Sequence, residues 1–176
     1  MSDKLWYLKH CNLFERLTDE QITRIESRSR SRSFSANSPI YLPAEKADSV
    51  FLLAKGLAKV SHLSGDGKES ILAFVEAGEM FGELALFDGE QRDEFVKAVE
   101  PTTVVMIPND EMQHLMAERS DVALGITKII GLRRQRIERR LKNLMFLSIR
   151  ERLVHLLIEK KAFGRETNER LRAAKE

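Results

Sequence analysis

Between residues 38 and 107, hydrophobic positions fall in short runs that turn-forming residues separate. The runs are PIYL, SVFLL, LAKVSHL, SILAFV and TTVVMI, and one separator is the Ser-Gly-Asp-Gly tract at 64–67. Many short strands at regular spacing, joined by turns rich in Gly and Asp, are typical of a jelly roll or a sandwich. We therefore predict that this central part is a β domain.

The arginine–serine stretch at 27–33 has two interpretations. It resembles a disordered Arg-Ser repeat of RNA-binding proteins, but it is short and leads directly into Phe34. In a strand, alternate residues share a face, so Arg28, Arg30 and Arg32 would form one basic face. We favour the strand.

Helical patterns flank the β region on both sides. At the N-terminus, residues 4–17 suggest a short helix or turn, and Thr18 with Gln21 fits a capping box before a helix over 19–27. After the β region, Asn109 is a candidate cap for a helix over 109–118, and a much longer helix is predicted over 121–146. A further capping box at 148–151 predicts the start of another helix over 149–162.

The long helix carries apolar residues at steps near three and four, with Arg133 interrupting the series. An isolated helix cannot bury such a stripe, so we expect it to pair with a second copy of the chain as a coiled-coil-like homodimer seam. The alternative is that the helix packs along the β domain, and both can hold on different faces. The predicted dimerisation residues are Val122, Ile126, Ile130, Ile137, Leu141 and Leu144.

Composition narrows the class of protein. The 176 residues suffice for one domain and an extension, and no apolar run approaches the roughly 20 residues that cross a bilayer. We expect no membrane association and, without a signal peptide, a cytoplasmic location. Cys11 is the only cysteine, which excludes an internal disulfide, and the four histidines lie too far apart to suggest a metal site.

The net charge of +2 hides an asymmetry along the chain. Residues 1–127 hold 14 Lys and Arg against 21 Asp and Glu, a balance of −7, whereas residues 128–176 hold 15 against 6, a balance of +9. A basic tail on an acidic body indicates either proximity to an anionic polymer or simply a solvated helical surface.

Four segments in this order resemble the Crp/Fnr superfamily of transcription regulators. They are IYLPAEKADSVFLLAKGLAKV, SGDGKES, EAGEMFGELALF followed by Arg92, and RIERRLKNLMFLSIRERLVHLL. The resemblance implies a mainly β fold with α: a cyclic-nucleotide-binding-type double-stranded β-helix, or jelly roll, with N-terminal helices and a long C-terminal dimerisation helix. The implied domains are 1–118, the β-roll effector domain; 119–147, the dimerisation helix; and 148–176, the start of a winged helix-turn-helix whose reading helix and wing are absent from this sequence.

The resemblance also implies an anion or effector pocket at the segment FGELALFDGEQRDEF. Backbone N–H groups of Glu83, Leu84 and Ala85, after Gly82, would point at an anion, and Arg92 would grip phosphate oxygens in a bidentate manner. Glu83 would accept a hydrogen bond from a ribose hydroxyl. The alternative is a purely structural role, in which Gly82 only makes a tight turn and Glu83 and Arg92 form a buried ion pair.

The sequence departs from the pattern of cyclic-nucleotide binders directly after the arginine. Those proteins continue with a small hydroxyl residue and an alanine, whereas this chain has Asp93 and Glu94. A carboxylate would neutralise Arg92 and repel a phosphate by about 4 kcal/mol at 4 Å and an effective dielectric of 20. Ile137 and Glu138 occupy the helix region where cyclic-AMP responders use hydroxyls. We therefore expect a small-molecule effector other than cyclic AMP, or none, and no other cofactor.

The residues distinguish three classes of function. The first is the effector-sensing and dimerisation part of a Crp/Fnr-type regulator. By resemblance, the full-length regulator would bind DNA, and RNA polymerase is a candidate partner. This chain alone would bind little or no DNA, because the arginines of the long helix precede the base-reading elements. The alternative is a stand-alone cyclic-nucleotide-binding module that regulates a protein partner. An enzyme is not expected, because no nucleophile–base pair or metal cluster is evident.

Overall fold

The structure, a computed structural model, describes residues 3–87, 91–146, 148 and 151. The chain forms two compact units, Met1–Arg133 and Arg134–Glu176. The boundary between them falls inside the long helix, and the predicted domain limits at residues 118 and 147 stay predictions. Of the predicted domain 148–176, only Ser148 and Glu151 lie within the described residues, where they form the predicted capping box: the Ser148 N–H donates to Glu151 at 2.8 Å, and the Glu151 N–H donates to the Ser148 hydroxyl at 3.4 Å.

Two four-stranded antiparallel sheets form the body of the first unit, which confirms the predicted jelly-roll class. The first sheet has the order β1-β8-β3-β6 and the second has the order β2-β7-β4-β5. The strands are β1 (Arg30–Phe34), β2 (Pro39–Tyr41), β3 (Ser49–Lys55), β4 (Leu57–Leu63), β5 (Glu69–Glu76), β6 (Met80–Phe81), β7 (Phe95–Ala98) and β8 (Thr102–Pro108).

Strands β3 and β8, in the middle of the first sheet, are covered on both faces, which explains their continuous apolar runs. On β3, Leu52 packs into the core that the helices cover, whereas Phe51 and Leu53 pack into the core between the two sheets. Strands covered on both sides need apolar residues at every position rather than at alternate ones. The second sheet covers only the inter-sheet core, and its outward face carries residues such as Lys59 and Lys97.

Three helices cover the outer face of the first sheet: α1 (Asp3–Lys9), α2 (Asp19–Arg28) and α3 (Asn109–Glu118). The capping box between Thr18 and Gln21 is present, and Ile22 and Ile25 of α2 are buried as predicted. The Arg-Ser stretch divides: Arg28 ends α2 and pairs with Asp110 at 2.6 Å, so only Arg30 and Arg32 belong to the exposed strand. Pro108, not Asn109, stands at the N-cap position of α3.

The long helix α4 (Ser120–Phe146) contributes its first turns to the core of its own chain. Val122 and Ile126 are 1% and 0% exposed, so these two residues cannot belong to a dimer seam as predicted. The close approach of the N-terminal segment fixes this arrangement, because a Cβ on Gly125 would lie 2.3 Å from a methyl carbon of Leu13. The intrachain alternative is therefore correct for the start of the helix.

Gly56, in the turn between β3 and β4, is a position that only glycine can occupy without strain. Its φ is +95°, and an added Cβ would lie 2.6 Å from the Pro101 carbonyl oxygen. Because both the backbone conformation and the space exclude a side chain, we expect Gly56→Ala to lower the free energy of unfolding by about 2 kcal/mol or more.

Urea denaturation measures this loss, and Gly65→Ala is the matched control. A Cβ on Gly65, in the β4–β5 turn, meets no atom within 4 Å. Equal stability of the two variants would contradict the assigned turn geometry.

Candidate functional site

The Gly-Glu turn, residues 82–86, follows β6 at the centre of the candidate site. Gly82 has a left-handed φ of +70°, and an added Cβ would lie 2.7 Å from Nη1 of Arg92. Glu83–Leu86 forms a 3-10 turn in which the Ala85 N–H donates to the Gly82 carbonyl oxygen at 3.3 Å. The Ala85 N–H is therefore already satisfied, which corrects its predicted role as an anion donor. A single 3-10 turn also lacks the dipole of a longer helix.

Arg92 is buried at this turn, with 6% of its surface exposed. Its Nη1 donates to the Gly82 carbonyl oxygen at 3.2 Å, and its Nη2 donates to the Ser49 carbonyl oxygen. Its guanidinium carbon lies 4.5 Å from the ring centre of Tyr41 and 5.0 Å from that of Phe51. Burial lowers the pKa of the guanidinium from its usual value. Carbonyls and aromatic faces attract a cation but carry no net charge.

Glu83 pairs with Arg133 of α4 and not with Arg92. Arg133 Nη1 donates to the buried Glu83 carboxylate at 2.5 Å, and Nη2 donates to the Met80 carbonyl oxygen. Within the described residues no ion pair joins Glu83 to Arg92, so the structural alternative proposed for these two residues is wrong. The carboxylate predicted to receive a ribose hydroxyl is already held by a cation from the long helix.

Asp93 and Glu94 have different environments. Asp93 is exposed, and in the described part of the chain it forms no ion pair with Arg92, so the predicted neutralisation of Arg92 by Asp93 is not found. Glu94 is half-buried and accepts a hydrogen bond from the Tyr41 hydroxyl at 3.1 Å. Burial, followed by the charge of Glu83, raises the pKa of Glu94. Glu94 is therefore the half-buried carboxylate of the site, whereas Asp93 is the exposed one.

A cavity of about 130 Å³ joins these groups. The cavity includes five of the eight predicted pocket residues and adds Tyr41, Ala47, Gln91 and Glu94; the five are Gly82, Leu84, Ala85, Arg92 and Asp93. Glu83 lies behind the turn, beside Arg133. Ile137 and Glu138 lie on α4 in the unit 134–176, where Glu138 accepts from Arg134 at 2.8 Å, and their part in the pocket stays a prediction.

Several site residues escaped the sequence analysis. Arg133 interrupts the inward-facing apolar stripe of α4. A charged residue at such a position requires a buried partner, and this interruption was the sequence signal for Arg133. Tyr41 and Phe51 were ordinary strand residues in the sequence. Asn109 links two segments of the site, because its side-chain amide donates to the carbonyl oxygens of Ala47 at 2.6 Å and Ala85 at 3.0 Å. No sequence signal indicated these hydrogen bonds.

Other chemistries find no support in the described part of the chain. No group of three or more potential metal ligands occurs there, and Cys11 is buried, with its thiol directed at the Gly78 carbonyl oxygen. His10 stacks on Trp6 and bonds the carbonyl of that residue. Among the described helices, none combines the length and the hydropathy of a membrane-spanning segment.

Comparison with known proteins assigns the family. Residues 31–119 match the model of the cyclic nucleotide-binding domain. Over 154 residues, 87% of this chain, the sequence is 27% identical to the cAMP-activated global transcriptional regulator CRP of Pasteurella multocida. That alignment covers 65% of the relative, so the chain spans about two-thirds of the length of the regulator that it matches.

Solved structures share the fold over most of the chain. The c-di-GMP responsive global regulator CLP of Xanthomonas campestris superposes with a TM-score of 0.72 at 20% identity, covering 81% of this chain and 72% of CLP. A protein from Eubacterium rectale, described as a regulator of the Crp/Fnr family, superposes with a TM-score of 0.76 at 17% identity, covering 89% of this chain and 73% of its own. The chain belongs to the cyclic nucleotide-binding domain family, and its relatives are transcription regulators of the Crp/Fnr type.

Proposed function

We propose that this chain is the effector-sensing and dimerisation part of a Crp/Fnr-type transcription regulator. The ion pair between Glu83 and Arg133 is the observation that carries the proposal. It connects the turn that lines the effector pocket with the helix expected to form the dimer. A ligand that competes for Glu83, or repositions the turn, changes the contacts of α4, and such differential contacts are the requirement for allosteric coupling.

The effector of this pocket is a molecule other than cyclic AMP. A phosphate approaching Arg92 also approaches Glu94, whose charge is not balanced by an ion pair among the described residues. The fold itself does not select one ligand, since one similar protein is a cAMP-activated regulator and another is a c-di-GMP responsive regulator. The residues around Arg92 therefore decide the specificity.

The proposed dimer seam begins at Ile130, which also packs against the core of its own chain, and continues along the second half of α4. Ile130 and Ile137 are half-buried and Leu141 is 52% exposed. Together with Leu144 these positions follow steps of seven, four and three residues, the heptad spacing of a coiled coil. This seam retains four of the six predicted residues and omits Val122 and Ile126.

We expect Leu141→Arg to weaken the homodimer at least tenfold, about 1.4 kcal/mol, because a charge would enter an apolar seam. Sedimentation equilibrium over a range of micromolar concentrations measures the dissociation constant. Leu124→Arg is the control, since Leu124 is 69% exposed on another face of the same helix. A monomeric unsubstituted chain, or equal effects of the two substitutions, would refute the seam.

Calorimetry with cyclic AMP tests the specificity. We expect no binding in the micromolar range by the unsubstituted chain. The double substitution Asp93→Ser with Glu94→Ala removes both carboxylates and should increase the affinity at least tenfold, because a like charge near a phosphate costs several kcal/mol, about 4 in the geometry considered above. Micromolar binding by the unsubstituted chain would show that the carboxylates do not exclude the nucleotide.

The charge of Glu94 should also reduce the stability of the empty protein. A carboxyl whose pKa is raised in the folded state adds stability that is fully present below the unfolded value, near 4.5, and is lost as pH rises through the folded pKa. We therefore expect Glu94→Gln, which can still accept from Tyr41, to melt at a higher temperature than the unsubstituted protein at pH 7.

The difference in melting temperature should narrow as the pH falls toward 4.5, since both proteins are then neutral at this position. The groups that influence Glu94 are Glu83, Tyr41, Arg133 and His62. Glu100→Gln, at an exposed carboxylate that does not line the cavity, is the control and should show no such trend. A Glu94→Gln difference that does not depend on pH would contradict the assigned environment.

A further inference from the structure

We propose that the pocket binds a small zwitterion of the α-amino acid class, with the ligand's carboxylate on Arg92 and its ammonium group on Glu94. This inference rests on the proposed function and specifies the ligand of the same site. It follows from Arg92 and Glu94, which line the cavity together with the exposed Asp93, from the contact of both with Tyr41 and from the volume of the cavity.

Arg92 supplies the anion-binding end. Its two hydrogen bonds to the described residues use one N–H of each terminal nitrogen, whereas a guanidinium has five N–H donors in a planar fork. The carbonyl oxygens of Gly82 and Ser49 and the rings of Tyr41 and Phe51 fix the orientation of that plane. A fixed guanidinium with free donors that faces a cavity is suited to a planar carboxylate.

Glu94 supplies the cation-binding end. Tyr41 donates to Oε2 only, and no described lysine, arginine or histidine lies within ion-pair distance of either oxygen. Glu83 cannot fill this role, because Arg133 already compensates its charge. An ammonium group would supply hydrogen bonds and positive charge to a half-buried carboxylate that lacks an ionic partner.

Tyr41 holds the two ends at a fixed separation. Its ring lies under the Arg92 guanidinium and its hydroxyl bonds Glu94, so one rigid side chain positions both charges. Tyr41 is 3% exposed and packs against Phe51 and Phe81. A preorganised pair of opposite charges favours a ligand that carries both complementary charges over a simple anion.

The size of the cavity also favours a small ligand. About 130 Å³ is below the roughly 300–1,000 Å³ of pockets that enclose drug-sized ligands. A zwitterion adds no net charge to the site, whereas a phosphate diester would place a negative charge beside Glu94. The larger hollow of about 570 Å³ at the β4–β5 hairpin lies open on the surface and contains neither Arg92 nor Glu94.

Thermal shift with the 176-residue chain tests the inference directly. Each of the proteinogenic L-amino acids is added at about 1 mM, a concentration that reveals even millimolar binders. We expect at least one to raise the melting temperature. Its N-acetyl derivative, which lacks the ammonium charge, and its amide, which lacks the carboxylate, should each bind at least about tenfold more weakly. These comparisons use the unsubstituted chain, so they do not depend on the folding of a variant.

Two substitutions then assign each end of the ligand. Glu94→Gln should abolish the preference for the free amino acid over its N-acetyl derivative while keeping the preference for the acid over the amide. Arg92→Lys should weaken the preference for the acid over the amide, because the ammonium group of lysine cannot form a bidentate contact with the ligand's carboxylate. Circular dichroism establishes that both variants are folded, and Glu100→Gln is the control that retains both preferences.

Three outcomes would overturn the inference. Stabilisation by cyclic AMP or c-di-GMP alone would show a nucleotide pocket and leave the proposed sensor function intact. Equal binding of an amino acid and its N-acetyl derivative would remove Glu94 from the site. A persistent dimer that binds no amino acid would mean that Arg92 and Glu94 serve only the fold. Loss of the dimer would instead refute the proposed function, whatever binds in the pocket.

Discussion

The Glu83–Arg133 ion pair is the contact on which the relation between the pocket and the long helix depends. Both side chains are largely removed from solvent, and Arg133 also bonds the Met80 carbonyl oxygen beside the same turn. Removing one partner of a buried pair costs about 3–5 kcal/mol, because the remaining charge stays in a poor solvent. The turn and the part of α4 around Arg133 are therefore coupled. A ligand that changes the contacts of Glu83 also changes the contacts of the helix.

The pocket departs from the rule that buried charges are compensated. Glu83 has an ionic partner, but Arg92 is held by carbonyls and rings, and Glu94 by one phenol, among the described residues. Such arrangements reduce the stability of an empty protein and persist where binding requires them. Among the described residues, Glu83 has an ionic partner and Glu94 has none, and this contrast is the physical basis for assigning Glu94, and not Glu83, to the ligand.

The long helix illustrates how one apolar pattern can serve two purposes. Its first turns are buried by the chain itself, with Val122 and Ile126 in the core, whereas Leu141 remains 52% exposed. The core-facing stripe and the proposed seam are adjacent on the helix surface, and a step of three or four residues is compatible with both. Periodicity alone could not divide the stripe between the two, because the division depends on where the β domain ends.

The sequence by itself determined most of the elements and the fold class. Local signals such as the capping box at Thr18, the Ser-Gly-Asp-Gly turn at 64–67 and the apolar steps of three and four along α4 act over a few residues, so they can be recognised in the sequence. The short strands β6 and β7 were missed because two to four residues carry too little pattern. Only the tertiary structure decided which charges meet, since Arg133 lies 50 residues from Glu83 and Tyr41 lies 53 residues from Glu94. Ion pairing and burial depend on distances in space, which residue types and spacing do not specify.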